Sequence, residues 1–80
     1  MKQEQIVQVQ IEESATGLFY ATSSDLKGLL VAELTLDALN SAIPRAIAGL
    51  FRAQGMNVVV KANGGDAWYV EPVSSTGDTA

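Results

Sequence analysis

Apolar and polar residues alternate from Ile6 to Ile11, with Val7, Val9 and Ile11 pointing one way and Gln8 and Gln10 the other. A period of two predicts a strand with one buried and one wetter face. The polar stretch Glu12-Glu-Ser-Ala-Thr-Gly17 follows, and Gly17 can supply the positive φ of a hairpin connection. Leu18 to Ser23 reads as a second strand, aromatic at first and small at its end. Ser24-Asp-Leu-Lys-Gly28 is a turn, in which Asp25 can bond forward to the backbone and Gly28 releases the chain. Leu29 to Leu34 is a third apolar run, too short for an independent helix, and predicts a third strand.

The period then changes. Leu36, Leu39, Ile43, Ile47, Leu50 and Phe51 form one stripe at helical spacing, opposite Asn40, Ser41, Arg45, Ala48 and Arg52. Thr35 is the expected N-cap, with Asp37 in the first turn where a negative charge suits the helix dipole. Ala38 stands where a capping box would need Glu or Gln. Pro44 interrupts the pattern, since its ring conflicts with the Asn40 carbonyl at a cost of about 3 kcal/mol. A kink or break is expected there, with the helix resuming to Gln54 and Gly55 terminating it. Met56 to Ala62 predicts a fourth strand, Asn63-Gly-Gly-Asp66 a hairpin turn, and Ala67 to Glu71 a short returning strand ended by Pro72. The order β-β-β-α-β(-β) predicts an α+β domain over residues 1–72, an antiparallel sheet with one helix on a face. Residues 73–80 are small and polar and are expected to form a flexible tail.

Eighty residues make one domain, and folding at this size buries only about 60% of the surface the unfolded chain exposes. Hydrophobic residues reach 48% and charged ones only 18%, against a usual share of about 25%. A small domain this apolar is expected to reserve surface for a partner, the more so with no cysteine to form a disulfide. The apolar runs fall well short of the ~20 residues of a membrane span. Met1 to Gln5 is polar, without the apolar core of a signal peptide, so the chain reads as cytosolic with no membrane partner. With a formal charge of −4 and scattered basic residues, it suits a basic partner better than nucleic acid.

Without histidine or cysteine, the available chemistry lies in the carboxylates Glu4, Glu12, Glu13, Asp25, Glu33, Asp37, Asp66, Glu71 and Asp78. Most of these fall in turns, caps and tails, each with an ordinary local role, rather than as a pair converging on one cleft. The serines have no histidine to activate them. Gly64-Gly65 leads into the β-like Ala67-Trp-Tyr-Val70 and not into a helix, so a hairpin accounts for it better than a phosphate cradle. No catalytic, cofactor-binding or metal-binding residue is therefore assigned. Trp68 and Tyr69 could stack on bases, but Asp66 and Glu71 flank them, and one ring in the core with the other at a protein interface fits better. Phe19, Trp68 and Tyr69 are the expected interface anchors.

Gly17-Leu-Phe-Tyr-Ala-Thr-Ser-Ser-Asp-Leu-Lys-Gly-Leu29 resembles the HicB-like pattern: an aromatic strand, Ala, a Pro-Asp-Leu-Pro-Gly-type turn and a third strand. Thr35-Leu-Asp-Ala-Leu39 is similar to the threonine-capped start of that family's helix, and a proline within the helix resembles an uncharacterised HicB-like branch. Ser24 and Lys27 depart from the pattern, standing where that family usually has prolines. The resemblance implies a truncated ribonuclease H-like fold without that enzyme's acidic active site. It also implies an antitoxin-type module that binds and masks a small basic ribonuclease toxin of the HicA type. Many members add a C-terminal DNA-binding domain; this chain ends before one, which argues against operator binding. The alternative is a stand-alone structural or regulatory domain. A nuclease is a third class, offered by fold analogy alone. Apolar surface left on the strands (Leu18 and Phe19, Leu29 and Leu30, Val58 and Val59) predicts a dimer or higher homo-oligomer in any of these cases.

Overall fold

The computed structural model describes residues 5–73. The chain forms β1 (Gln5–Gln8), β2 (Gln10–Glu13), β3 (Phe19–Thr22), β4 (Leu30–Glu33), α1 (Leu36–Ala53), β5 (Val58–Ala62) and β6 (Ala67–Pro72). Two antiparallel three-stranded sheets result, with strand orders β1-β6-β5 and β2-β3-β4. The helix packs on β3, β4 and β5, so it lies against both sheets. The α+β class stands, but two sheets take the place of the single antiparallel sheet expected, because the first strand divides between them.

The expected single first strand is divided at Val9, and its halves serve different sheets. Its alternation survives the division: Val7 and Val9 are buried and Ile11 packs on the core. On one side the Val9 N–H donates to the Asp66 carbonyl, at 2.9 Å, in the turn before β6. On the other side β3 has ended at Thr22, and side chains take over its ladder. The Gln8 N–H donates to Asp25 Oδ2 at 2.9 Å, and the Gln8 carbonyl accepts from the Ser23 hydroxyl. Asp25 thus reaches back across the sheet to Gln8 rather than forward, as the turn pattern predicts. Ser23 Oγ supplies the local bond by accepting from the Asp25 N–H at 3.0 Å.

The helix runs through Pro44 without a break, so of the expected kink or break the break does not occur. Leu39, Ile43 and Ile47 are fully buried on one face, and Phe51 nearly so. Pro44 itself is half-buried, while Asn40, one turn before it, whose carbonyl loses its intrahelical donor, is exposed. Water can satisfy that carbonyl. The ends are set by local chemistry: Thr35 Oγ1 accepts from the Ala38 N–H at 3.1 Å. At the other end Gly55 takes φ +85°, its N–H bonds the Arg52 carbonyl, and the Met56 N–H bonds that of Phe51. These two bonds form a Schellman cap. Met56 therefore belongs to the cap, and the fourth predicted strand starts two residues later, at Val58. Leu36, counted in the helix stripe by its spacing, sits in the first turn and is exposed.

The core is one cluster of Val7, Val9, Ala21, Leu26, Leu29, Leu39, Ile43, Ile47, Phe51 and Val70. No buried polar or charged residue accompanies it among the described residues. Val73 still donates to the Asn57 carbonyl at 2.9 Å, so the β5–β6 ladder extends one pair past Pro72. The rest of the expected tail, residues 74–80, lies outside the described residues, as do Glu4 and Asp78.

Candidate interaction surface

Register divides each strand into a face toward the helix and a face away from it. In β2-β3-β4, Ile11, Ala21 and Val31 are aligned across the sheet and pack in or on the core. The intervening rows turn outward: Glu12, Tyr20 and Ala32 in one, Gln10, Thr22 and Leu30 in the next. In β1-β6-β5, Val7 aligns with Trp68 and Ala62 on the core side, while Ile6 aligns with Tyr69 and Lys61 on the outer side, next to the Val59–Glu71 pair. The helix covers one face of each sheet.

The three expected anchors are thereby separated. Phe19 and Trp68 are half-buried and pack against the core. Tyr69 lies on the outer face, half-buried and engaged in an interaction of its own. Other apolar groups are more open to a partner: Leu34, just past β4, is 73% exposed, and on the outer faces of the strands Leu30 is 67% exposed, Ile6 46% and Val59 41%. Alternation gave the phase of the strand residues Leu30, Ile6 and Val59 but not which phase faces outward. Leu30 is one residue out of phase with Leu29 and Val31, Ile6 with Val7, and Val59 with Val58 and Val60. The sequence also offered Leu18 and Leu29 as leftover surface; Leu29 is buried and Leu18 half-buried in the β2–β3 turn.

The outer face of β2-β3-β4 has a distinct electrostatic character. Its side chains are Gln10, Glu12, Tyr20, Thr22, Leu30 and Ala32, a mixed apolar and polar surface with one carboxylate and no cation. The helical arginines, Arg45 and Arg52, are exposed on α1, which packs against the other side. Asp25 is occupied by the Gln8 backbone, and no group of three or more Asp or Glu side chains is positioned to hold a metal ion among the described residues. Among those residues no helix is long and apolar enough to cross a membrane.

No family model, no curated protein and no solved structure matches this chain.

Proposed function

We propose that the protein is a non-catalytic, HicB-like antitoxin-type module of truncated ribonuclease H-like fold, which binds a small basic ribonuclease and masks it. The observation that carries this reading is the outer face of β2-β3-β4, where half-buried Tyr20 on the central strand has Glu12 beside it on β2 and exposed Leu30 lies on the other neighbouring strand, with no cation among them. An apolar centre with an acidic flank favours a basic protein: burial supplies affinity and charge speeds encounter. The resemblance of residues 17–29 and 35–39 to the HicB pattern supplies the partner class, a ribonuclease toxin of the HicA type.

The test is inhibition. A purified HicA-like ribonuclease is assayed on labelled RNA with rising amounts of this protein. Stoichiometric inhibition is expected, with Leu30→Lys abolishing it while leaving the circular dichroism spectrum and unfolding midpoint close to wild type. Undiminished cleavage at a large excess of folded protein would falsify the masking role and favour a stand-alone structural or regulatory domain. Metal-dependent RNA cleavage by the protein alone would overturn the non-catalytic assignment.

A further inference from the structure

Among the described residues each sheet has two edge strands, β1 and β5 in one and β2 and β4 in the other. β1 and β2 form one run whose junction is bonded on both sides through Gln8 and Val9, which leaves β4 and β5 as the edges that stand alone. Which backbone groups they present follows from the ladders. The Val73 N–H bonds the Asn57 carbonyl and the Asn63 N–H bonds that of Ala67, so odd-numbered residues of β5 turn toward β6. The N–H and C=O groups of Val58, Val60 and Ala62 therefore face outward in the sheet plane. A strand edge with free donors and acceptors is a template for another strand.

We propose that the protein dimerises by antiparallel pairing of β5 with β5 of a second copy, about a two-fold axis at Val60. In this register Val60 exchanges backbone bonds with its counterpart, and Val58 pairs with Ala62 of the other copy, so every outward group of β5 is used. On the helix side the paired residues are all apolar, and Val58 and Val60 already pack against the core. On the outer side Lys61 of one copy lies across from Val59 of the other. Beyond Val59, on the adjacent strand, stands Glu71, its direct cross-strand neighbour.

Two strand spacings are about 10 Å, which a lysine and a glutamate can bridge from opposite ends. Each Lys61 can thus cross the exposed Val59 of the other copy to Glu71, and the two-fold axis repeats the arrangement. Charge complementarity also selects the register. A shift that places the axis at Lys61 would set the two lysines against each other, whereas an axis at Val59 leaves Ala62 beyond the end of the opposing β5. The β4 edge offers no such match: its outward residues are Leu30 and Ala32, and its one charge is Glu33. The dimer leaves the outer face of β2-β3-β4 free, so it stands independently of the ribonuclease-masking reading.

Sedimentation equilibrium from about 1 to 100 μM, at low salt, tests the interface with charge-swapped chains. Wild type is expected to dimerise in this range. Lys61→Glu and Glu71→Lys, each acting twice across the axis, should each weaken dimerisation by roughly tenfold or more, and the double swap should restore it. Hydrogen exchange supplies a readout at the strand itself: the Val58, Val60 and Ala62 amides should gain protection as concentration rises, while those of Leu30 and Ala32 do not. A monomer throughout, a dimer insensitive to both swaps, or concentration-dependent protection on β4 instead of β5 would overturn the proposal.

Discussion

Gln8 occupies the point where the N-terminal strand passes from one sheet to the other, and its two backbone polar groups bond to side chains from a loop many residues downstream. Ser23 and Asp25 act here as a substitute for strand backbone: one hydroxyl accepts a local N–H and donates to Gln8, while one carboxylate accepts from Gln8. Ser23→Ala and Asp25→Ala are each expected to destabilise the fold by about 0.5–1.5 kcal/mol, the net value of an ordinary hydrogen bond, because water can reach these exposed groups. Urea denaturation measures the difference. A loss above about 3 kcal/mol would mean that the junction at Val9 collapses without its side-chain bridge. The local signals at this loop were visible in Ser24-Asp-Leu-Lys-Gly28, but the partner of Asp25 was not. A turn residue's short-range bond can be read from neighbours in sequence, whereas its bond to Gln8 exists only once two strands have been brought together.

At the scale of elements, the helix is the clearest case of a local rule overridden. Pro44 removes a donor and crowds the Asn40 carbonyl, yet Leu39, Ile43 and Ile47 on either side of it are all fully buried. Burying each of these side chains is worth about 1.5–3 kcal/mol, so their sum exceeds the proline penalty of about 3 kcal/mol and the helix continues. Proline also stiffens the unfolded chain, which returns about 0.4–1 kcal/mol. Pro44→Ala should therefore raise stability by about 2 kcal/mol, read from the shift in urea midpoint at constant slope. No gain would show that the surrounding sheet has adapted to the proline's local geometry. The ends of the helix, by contrast, were legible in full. Thr35 and Gly55 act within a few residues of themselves, so nothing distant can change their roles.

The whole molecule stands on a single small core, and at about 0.05–0.15 kcal/mol per residue its stability is on the order of 4–12 kcal/mol. Ile47 is central to that core and fully buried. Ile47→Ala is expected to cost about 2–5 kcal/mol, a large share of the total, and to leave a substantial unfolded fraction at 37 °C by circular dichroism. A cost below about 1 kcal/mol would mean that the two layers close over the missing volume. The same economy of size explains the open sheet faces. One helix can cover one side of a sheet pair, and no residue of the described chain remains to cover the other.

Local signals by themselves, periodicity together with capping and turn residues, placed the helix, its two caps, the hairpin turns and, to within a few residues, the strands, because each depends on contacts within a few residues. It also determined which residues of each strand share a face. Which face the helix would take, and so whether Leu29 or Leu30, Val58 or Val59 would be left in solvent, was decided by tertiary packing. Both members of each pair are apolar, and alternation between two equally apolar rows carries no sign. The division of the first strand at Val9 was decided there as well. Its residues alternate without interruption from Val7 to Glu12, across the division; only the positions of β3 and β6 on its two sides make one strand into the shared margin of two sheets.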